Sequence, residues 1–172
     1  DKDIRDNRQD RIQSDFQRIA GATDKMETLL TDLLELSRIG RMVNPPMEID
    51  TVRLIQDALD NLDARLRSKN ITMQIASTFP DLYGDRTRLR EVFENLIDNA
   101  VKYSGTQSSP LIEIGTRQAK NEAIIFIKDN GIGIEERYQT RIFALFEKLN
   151  PNIEGTGIGL ALVKRIVEIH GG

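Results

Sequence analysis

The 172-residue chain is 39% hydrophobic and 30% charged, which suits a globular chain and excludes a disordered or membrane-embedded one. Its formal net charge of −3 argues against a nucleic-acid binder working through a basic face. With no cysteine, disulfides and thiolate metal sites are excluded, which fits a reducing compartment. The length accommodates one ordinary domain plus an appendage. No apolar run approaches the ~18 residues of a membrane span and no signal-peptide pattern opens the chain, so a cytoplasmic location is expected. A membrane-anchored parent is compatible with this, and the start at Asp1-Lys2-Asp3, without Met, reads as a fragment.

Residues 1–44 predict one helical arm. Ile12, Phe16, Ile19, Thr23, Met26, Leu30, Leu33 and Ser37 step alternately by four and three, a heptad seam. Leu29, Leu34 and Leu36 widen that seam toward a bundle face. A helix of about 30 residues is roughly 45 Å long, and nothing else in the chain is long enough to cover such a stripe. The arm is therefore expected to pair with a preceding helix, with a second copy, or with both; a plain helical linker is the simpler reading. Gly40 and Asn44-Pro45-Pro46 end it, because proline cannot continue a helix.

Residues 45–172 predict an α+β domain. Met47–Ile49 alternates like a short strand, and Asp50 is placed to cap a helix over 51–69. Ile71–Ile75 alternates as a half-buried strand, Leu82-Tyr83 is a short extended piece, and Asp85 caps a helix over 85–103. Leu111–Ile114 and Ala123–Lys128 read as strands, the second entered through a turn at Lys120-Asn121. A last helix is expected over 157–170. The three helices after the arm would cover one face of a mixed sheet whose other face is wetter, giving a two-layer sandwich preceded by the long bundle-forming helix.

Within the helix over 85–103, Glu91, Asn95 and Asn99 recur every four residues, with Lys102 following, so they line one stripe. Asparagine is a poor helix former, and two of them in a row ask for a reason. The stripe is either a solvated face or a set of oxygen ligands for a hard cation, with Lys102 pairing a phosphate. Asp129-Asn-Gly131-Ile-Gly133 follows a strand. It is either a hairpin turn or a place where a flat ligand approaches the backbone, and the Glu-Glu-Arg-Tyr that follows looks helical rather than like a return strand. Gly155-Thr-Gly157-Ile-Gly159-Leu160 precedes a helix, where exposed backbone N–H groups suit an anion. It is neither a Walker A loop nor a dinucleotide fingerprint, and a flexible cap is the plain alternative.

Together these stretches resemble the ATP-binding domain of sensor histidine kinases, of the GHKL type. Asn95–Tyr103 is similar to their N box, Asp129–Gly133 to the G1 box, Phe143-Ala-Leu-Phe146 to the F box and Gly155–Leu160 to the G2 box. The C-terminal Val163–Gly172 is also similar, and the arm, with Leu33-Leu34-Glu35-Leu36-Ser37-Arg38, resembles the second helix of the dimerisation and histidine-phosphotransfer hairpin.

The resemblance implies ATP and Mg²⁺ as cofactors. It implies that Asp129 reads the adenine amine, with Gly131 and Gly133 admitting the base. Asn99 would hold Mg²⁺, supported by Asn95, while Lys102 contacts phosphate and Tyr103 packs near the nucleotide. Phe146 would flank the site, and Lys148 is a candidate for reaching the γ-phosphate. Gly155, Thr156, Gly157, Ile158, Gly159 and Leu160 would hold the phosphate tail, with residues 147–156 as a lid. The implied partners are a second copy through the arm, a phosphoacceptor helix missing from this chain and a response-regulator receiver domain; no nucleic acid is implied. Related ATPases place Glu where Asn95 stands, so a protein kinase is favoured over a hydrolase, with a non-catalytic nucleotide-binding module as a further alternative. Two departures stand out: the arm carries no histidine, and the chain stops where the family continues into further strands. His170, the sole histidine, reads as a helix C-terminal residue beside a glycine cap. Glu91 is left without a role.

Overall fold

Each helix of the domain has one apolar face, and burying those faces together against a small sheet sets the architecture. The computed structural model describes residues 2–38, 44–120, 122–150, 153 and 155–172. In chain order the elements are α1 (Lys2–Arg38), β1 (Met47–Ile49), α2 (Thr51–Ser68), β2 (Thr72–Ile75), β3 (Leu82–Gly84), α3 (Arg86–Lys102), β4 (Leu111–Ala119), β5 (Glu122–Asp129) and α4 (Gly159–Ile169). Two 3₁₀ turns, Glu136–Tyr138 and Arg141–Phe143, lie between β5 and α4.

Both caps read from the sequence form. Asp50 accepts from the Arg53 N–H at 3.1 Å, and Asp85 accepts from Thr87 and Arg88 N–H at 3.0 and 3.3 Å. From α2, Leu54, Ile55, Ala58, Leu59 and Leu66 go inward; α3 contributes Leu89, Val92, Phe93, Ile97, Ala100 and Val101; α4 contributes Leu162, Val163 and Ile166. Below them lies a mixed three-stranded sheet in the order β2-β4-β5, β2 parallel to β4 and β4 antiparallel to β5. The register sets Met73 beside Ile112 and Ile114 beside Ile127, so this row faces the helices while Gln74, Glu113 and Lys128 alternate outward. Each fully buried Leu or Ile in this core contributes roughly 1.5–3 kcal/mol. The α+β sandwich with helices on one face is thus present. β1 and β3 form a separate antiparallel pair rather than joining that sheet.

Three details differ from expectation. β4 runs on to Ala119, because the polar Thr116, Arg117 and Gln118 find partners on β5 where their pattern alone reads as loop. The last helix starts at Gly159, since Gly157 has φ +78 and stands outside helical space. The Glu-Glu-Arg-Tyr stretch, read as helical, makes a single 3₁₀ turn at Glu136–Tyr138 rather than an α-helix. The arm's helix is described to Arg38; its expected stop at Gly40 lies outside the described residues, as do Asn121 of the β4–β5 turn and the side chains of Leu36 and Ser37. Along α1 the seam residues Ile12, Phe16, Ile19, Met26, Leu30 and Leu33 are all exposed.

Candidate functional site

The site forms along the edge where α3, the end of β5 and the start of α4 meet. α3 turns its apolar side to the core, which leaves Asn95, Asn99 and Lys102 half-buried along the rim. The Asn95 carboxamide donates back to the Glu91 carbonyl at 2.9 Å, so its oxygen points the other way, toward Gly159. A Cβ on Gly159 would sit 2.6 Å from that oxygen, so a larger residue there would have to turn the Asn95 carboxamide aside. The Asn99 carboxamide makes no hydrogen bond among the described residues. The Lys102 ammonium lies 2.6 Å from Asp98 and about one van der Waals contact (3.8 Å) from where a Cβ on Gly155 would stand.

The loop after β5 is fastened to the end of α3. The Tyr103 carbonyl accepts from the Ile132 N–H at 3.0 Å, and a Cβ on Gly131 would collide with that same carbonyl. Asp129 accepts from the Gly131 N–H at 2.8 Å, which fixes the orientation of its carboxylate. Asn130 closes the other side, accepting from Leu111 N–H and donating to the Ser109 carbonyl. The Asp-Asn-Gly is therefore a strand end locked open, not a hairpin turn. Gly133 differs from Gly131: nothing lies near its Cβ position, and its φ of +70 alone accounts for the glycine.

Between this loop and α4, Phe146 sits at φ +63 with its N–H on the Gly157 carbonyl at 3.0 Å. A Cβ on Gly157 would come within 2.8 Å of the Phe146 and Glu147 backbone, so the two segments are pinned face to face. Ile158 is fully buried, which leaves a ligand its backbone but not its side chain. Thr156 and Leu160 are half-buried on the loop and first turn, and Lys148 is half-buried within the lid stretch, three of whose residues (151, 152 and 154) lie outside the described set.

The structure thus brings Asn95 to Gly159, Lys102 to Gly155, Phe146 to Gly157, and Tyr103 and Asp129 to Gly131. Three features were missed in the sequence. Glu91 pairs with Arg88 at 2.8 Å, with both side chains largely covered, so its carboxylate supports α3 rather than facing a ligand. Asp98 bridges Arg65 of α2 and Lys102. His170 accepts from the Asp85 N–H through Nε2 at 3.1 Å, so Nδ1 carries the proton and donates to the Ile166 carbonyl at 2.8 Å. Asp85 also accepts from the Asn44 backbone and side chain, so one carboxylate joins the arm's exit to the start of α3. The spacings of Glu91 from Arg88 and of Asp98 from Lys102 were legible as i,i+3 and i,i+4 pairs; the cross-chain contacts were not.

An α+β layer with an asparagine row on its central helix, a carboxylate at a strand end and a glycine loop before the last helix defines a class of ATP-binding domain. The chain belongs to the family described as histidine kinase-, DNA gyrase B- and HSP90-like ATPases, which it matches over residues 84–172. Among its relatives, the methanogenesis regulatory histidine kinase FilI of Methanothrix harundinacea is 43% identical over 95% of this chain and 18% of its own length. Cyanobacterial phytochrome B of Nostoc is 36% identical over 87% of this chain and 20% of its own. The chain thus spans about a fifth of the length of these two relatives. Among solved structures, the Acinetobacter baumannii histidine kinase AdeS superposes with a TM-score of 0.69 at 25% identity, covering 89% of this chain and 72% of that one. Among the described residues, no helix is long and apolar enough to cross a membrane.

Proposed function

We propose that this chain is the ATP-binding kinase core of a sensor histidine kinase, holding Mg·ATP for phosphoryl transfer to a histidine outside the chain. The observation that carries the kinase reading is the state of Asn95 and Glu91. Asn95 is a carboxamide that cannot take a proton, and the Glu91 carboxylate one turn before it is occupied by Arg88. Neither is suited to activate water, which favours transfer to a protein nucleophile over hydrolysis. His170 has both ring nitrogens engaged, which supports an acceptor histidine elsewhere.

In this reading Asp129 accepts a hydrogen bond from the adenine amine, its carboxylate held in place by Gly131. The bare backbone of Gly131 admits the base, and Tyr103 and Phe146 flank it. Lys102 meets a phosphate, Lys148 reaches the terminal one, and the N–H groups of residues 155–160 receive the tail with help from the α4 dipole. Mg²⁺, when bound, would neutralise charge between the phosphates. The carboxamide oxygen of Asn99, without a partner among the described residues, is the kind of hard ligand it takes, with Asn95 in support. The exposed apolar row of α1 supports pairing of the arm, in a homodimer with a phosphoacceptor helix completing the bundle. A receiver domain of a response regulator is the proposed downstream partner, and the cytoplasm the proposed location.

The test is nucleotide titration of wild type and Asp129→Ala. Affinity for ATP is expected to fall at least roughly tenfold, as for loss of a charged hydrogen-bond partner; unchanged affinity removes the adenine assignment. Incubation with a separately prepared phosphoacceptor helix domain should give a phosphorylated acceptor. Steady phosphate release without acceptor would instead favour a hydrolase.

A further inference from the structure

We infer that Asp98, held by Arg65, is the positioning residue that aims Lys102 at the phosphate-binding loop. This rests on the nucleotide reading above and adds two residues to it. Asp98 offers its two oxygens to different partners: Oδ1 to the Arg65 guanidinium from α2, and Oδ2 to the Lys102 ammonium one turn further along α3 at 2.6 Å. The carboxylate is only 17% exposed and Lys102 24%, whereas Arg65 stays 56% exposed on the outside. The Lys102 ammonium is thereby fixed on the side of α3 that faces Gly155. These three groups, with Lys69, line a cavity of about 280 Å³ between α2, α3 and the lid residue Ile153.

Two physical arguments make this positioning rather than decoration. A free lysine samples many rotamers, and a side chain ordered before the ligand arrives does not lose that freedom on binding. An ammonium has three donors, and Asp98 takes one of them, so it can keep Asp98 while meeting a phosphate. Nor does Asp98 cancel the attraction for anions. Arg65 and Lys102 together outweigh its one negative charge, and Lys69, whose ammonium donates to the Val101 carbonyl at 2.9 Å, adds another positive charge beside them. The bridge is also the third rung of a ladder along the α2–α3 seam. Arg86 pairs with Asp57, Asn61 donates to Glu94, Arg65 meets Asp98, and Lys69 reaches the Val101 carbonyl. The second rung also reaches along α3, from Glu94 to Arg90 at 3.3 Å; at the third, the hold is passed to Lys102, the cation beside Gly155.

The experiment measures binding of ATP, ADP and adenosine to the full chain for wild type, Asp98→Asn, Lys102→Ala and the double variant. Asp98→Asn is expected to weaken ATP and ADP roughly threefold to tenfold, the coupling of one charge-assisted contact, with adenosine unchanged. In the Lys102→Ala background the same substitution should add nothing. Arg65→Ala should show a smaller loss of the same kind. Tighter ATP binding by Asp98→Asn would overturn the inference, because Asp98 would then compete for Lys102. Parallel loss of adenosine, or an undiminished effect without Lys102, would overturn it too by showing a merely structural role. Failure of wild type to bind any of the three would defeat the nucleotide reading itself and is separately visible.

Discussion

The helical layer and the segment 129–158 that crosses its edge are both rich in apolar residues, yet they use them in opposite ways. In the layer, Leu54, Ile97 and Ile166 are 0% exposed, and the residues that interrupt the apolar faces are paired across helices. In the crossing segment, Phe143, Leu145, Phe146 and Leu149 stay 38–55% exposed, and order comes from backbone hydrogen bonds and glycines at close approaches. The lesson is that apolar content does not by itself define a core. A residue is buried where a periodic face meets another such face, and the crossing segment has no period to match. A ligand site profits from that difference: the layer fixes Asn95, Asn99 and Lys102, while the segment leaves apolar surface and bare backbone for something else to cover.

The comparison is broken most sharply by exchanging a residue of the layer. Ile97→Ala leaves a cavity in a position with no exposure, and is expected to cost about 2–5 kcal/mol in denaturant unfolding. A cost below 1 kcal/mol would mean the layer relaxes as freely as the loop. The next effect belongs to the seam between the two regions. Gly131→Ala drives a methyl into the Tyr103 carbonyl, so a loss of about 1–3 kcal/mol is expected together with loss of nucleotide binding. Gly133→Ala, which meets nothing, should lose about 1 kcal/mol from its left-handed backbone and keep more of its binding. Equal behaviour of the two would remove the distinction between close approach and backbone conformation.

Third comes Asp85, which the sequence marks only as a cap. Because it also receives Asn44 and sits under His170, Asp85→Ala should lower stability by about 1–2 kcal/mol, the upper range for a cap. Asn44→Ala should reproduce only a fraction of that loss in a thermal melt. A full cap cost from Asn44→Ala alone would place the weight on the linker instead.

These cases also show where reading the sequence stops. Periodicity with the Asp50 and Asp85 caps identified α2 and α3, and periodicity alone α4, because amphipathic faces are local in sequence. The motif residues were legible because glycines and asparagines in helical or strand-end positions are locally costly. What escaped was non-local. The extension of β4 through Thr116–Gln118 depends on β5, the ring of His170 reaches Asp85 from 85 residues away, and Arg65 meets Asp98 only because α2 and α3 lie side by side. Ile158 was read as a ligand residue from its motif, and its burial could be known only once α4 was packed.

The smallest expected effect is the most informative about the crossing segment. Phe146 holds φ +63, a conformation that costs an ordinary residue about 1–2 kcal/mol, while its ring is 55% exposed. Phe146→Gly relieves that strain but loosens the unfolded chain by about 0.4–1 kcal/mol and removes a partly buried ring. The terms oppose, so stability should change by less than about 1 kcal/mol in the denaturation series that reads Ile97→Ala. Nucleotide affinity should nevertheless fall, because the ring is retained in a strained place where it covers little of its own protein. A large stability loss would instead make Phe146 part of the core, and the two regions would then differ in degree rather than in kind.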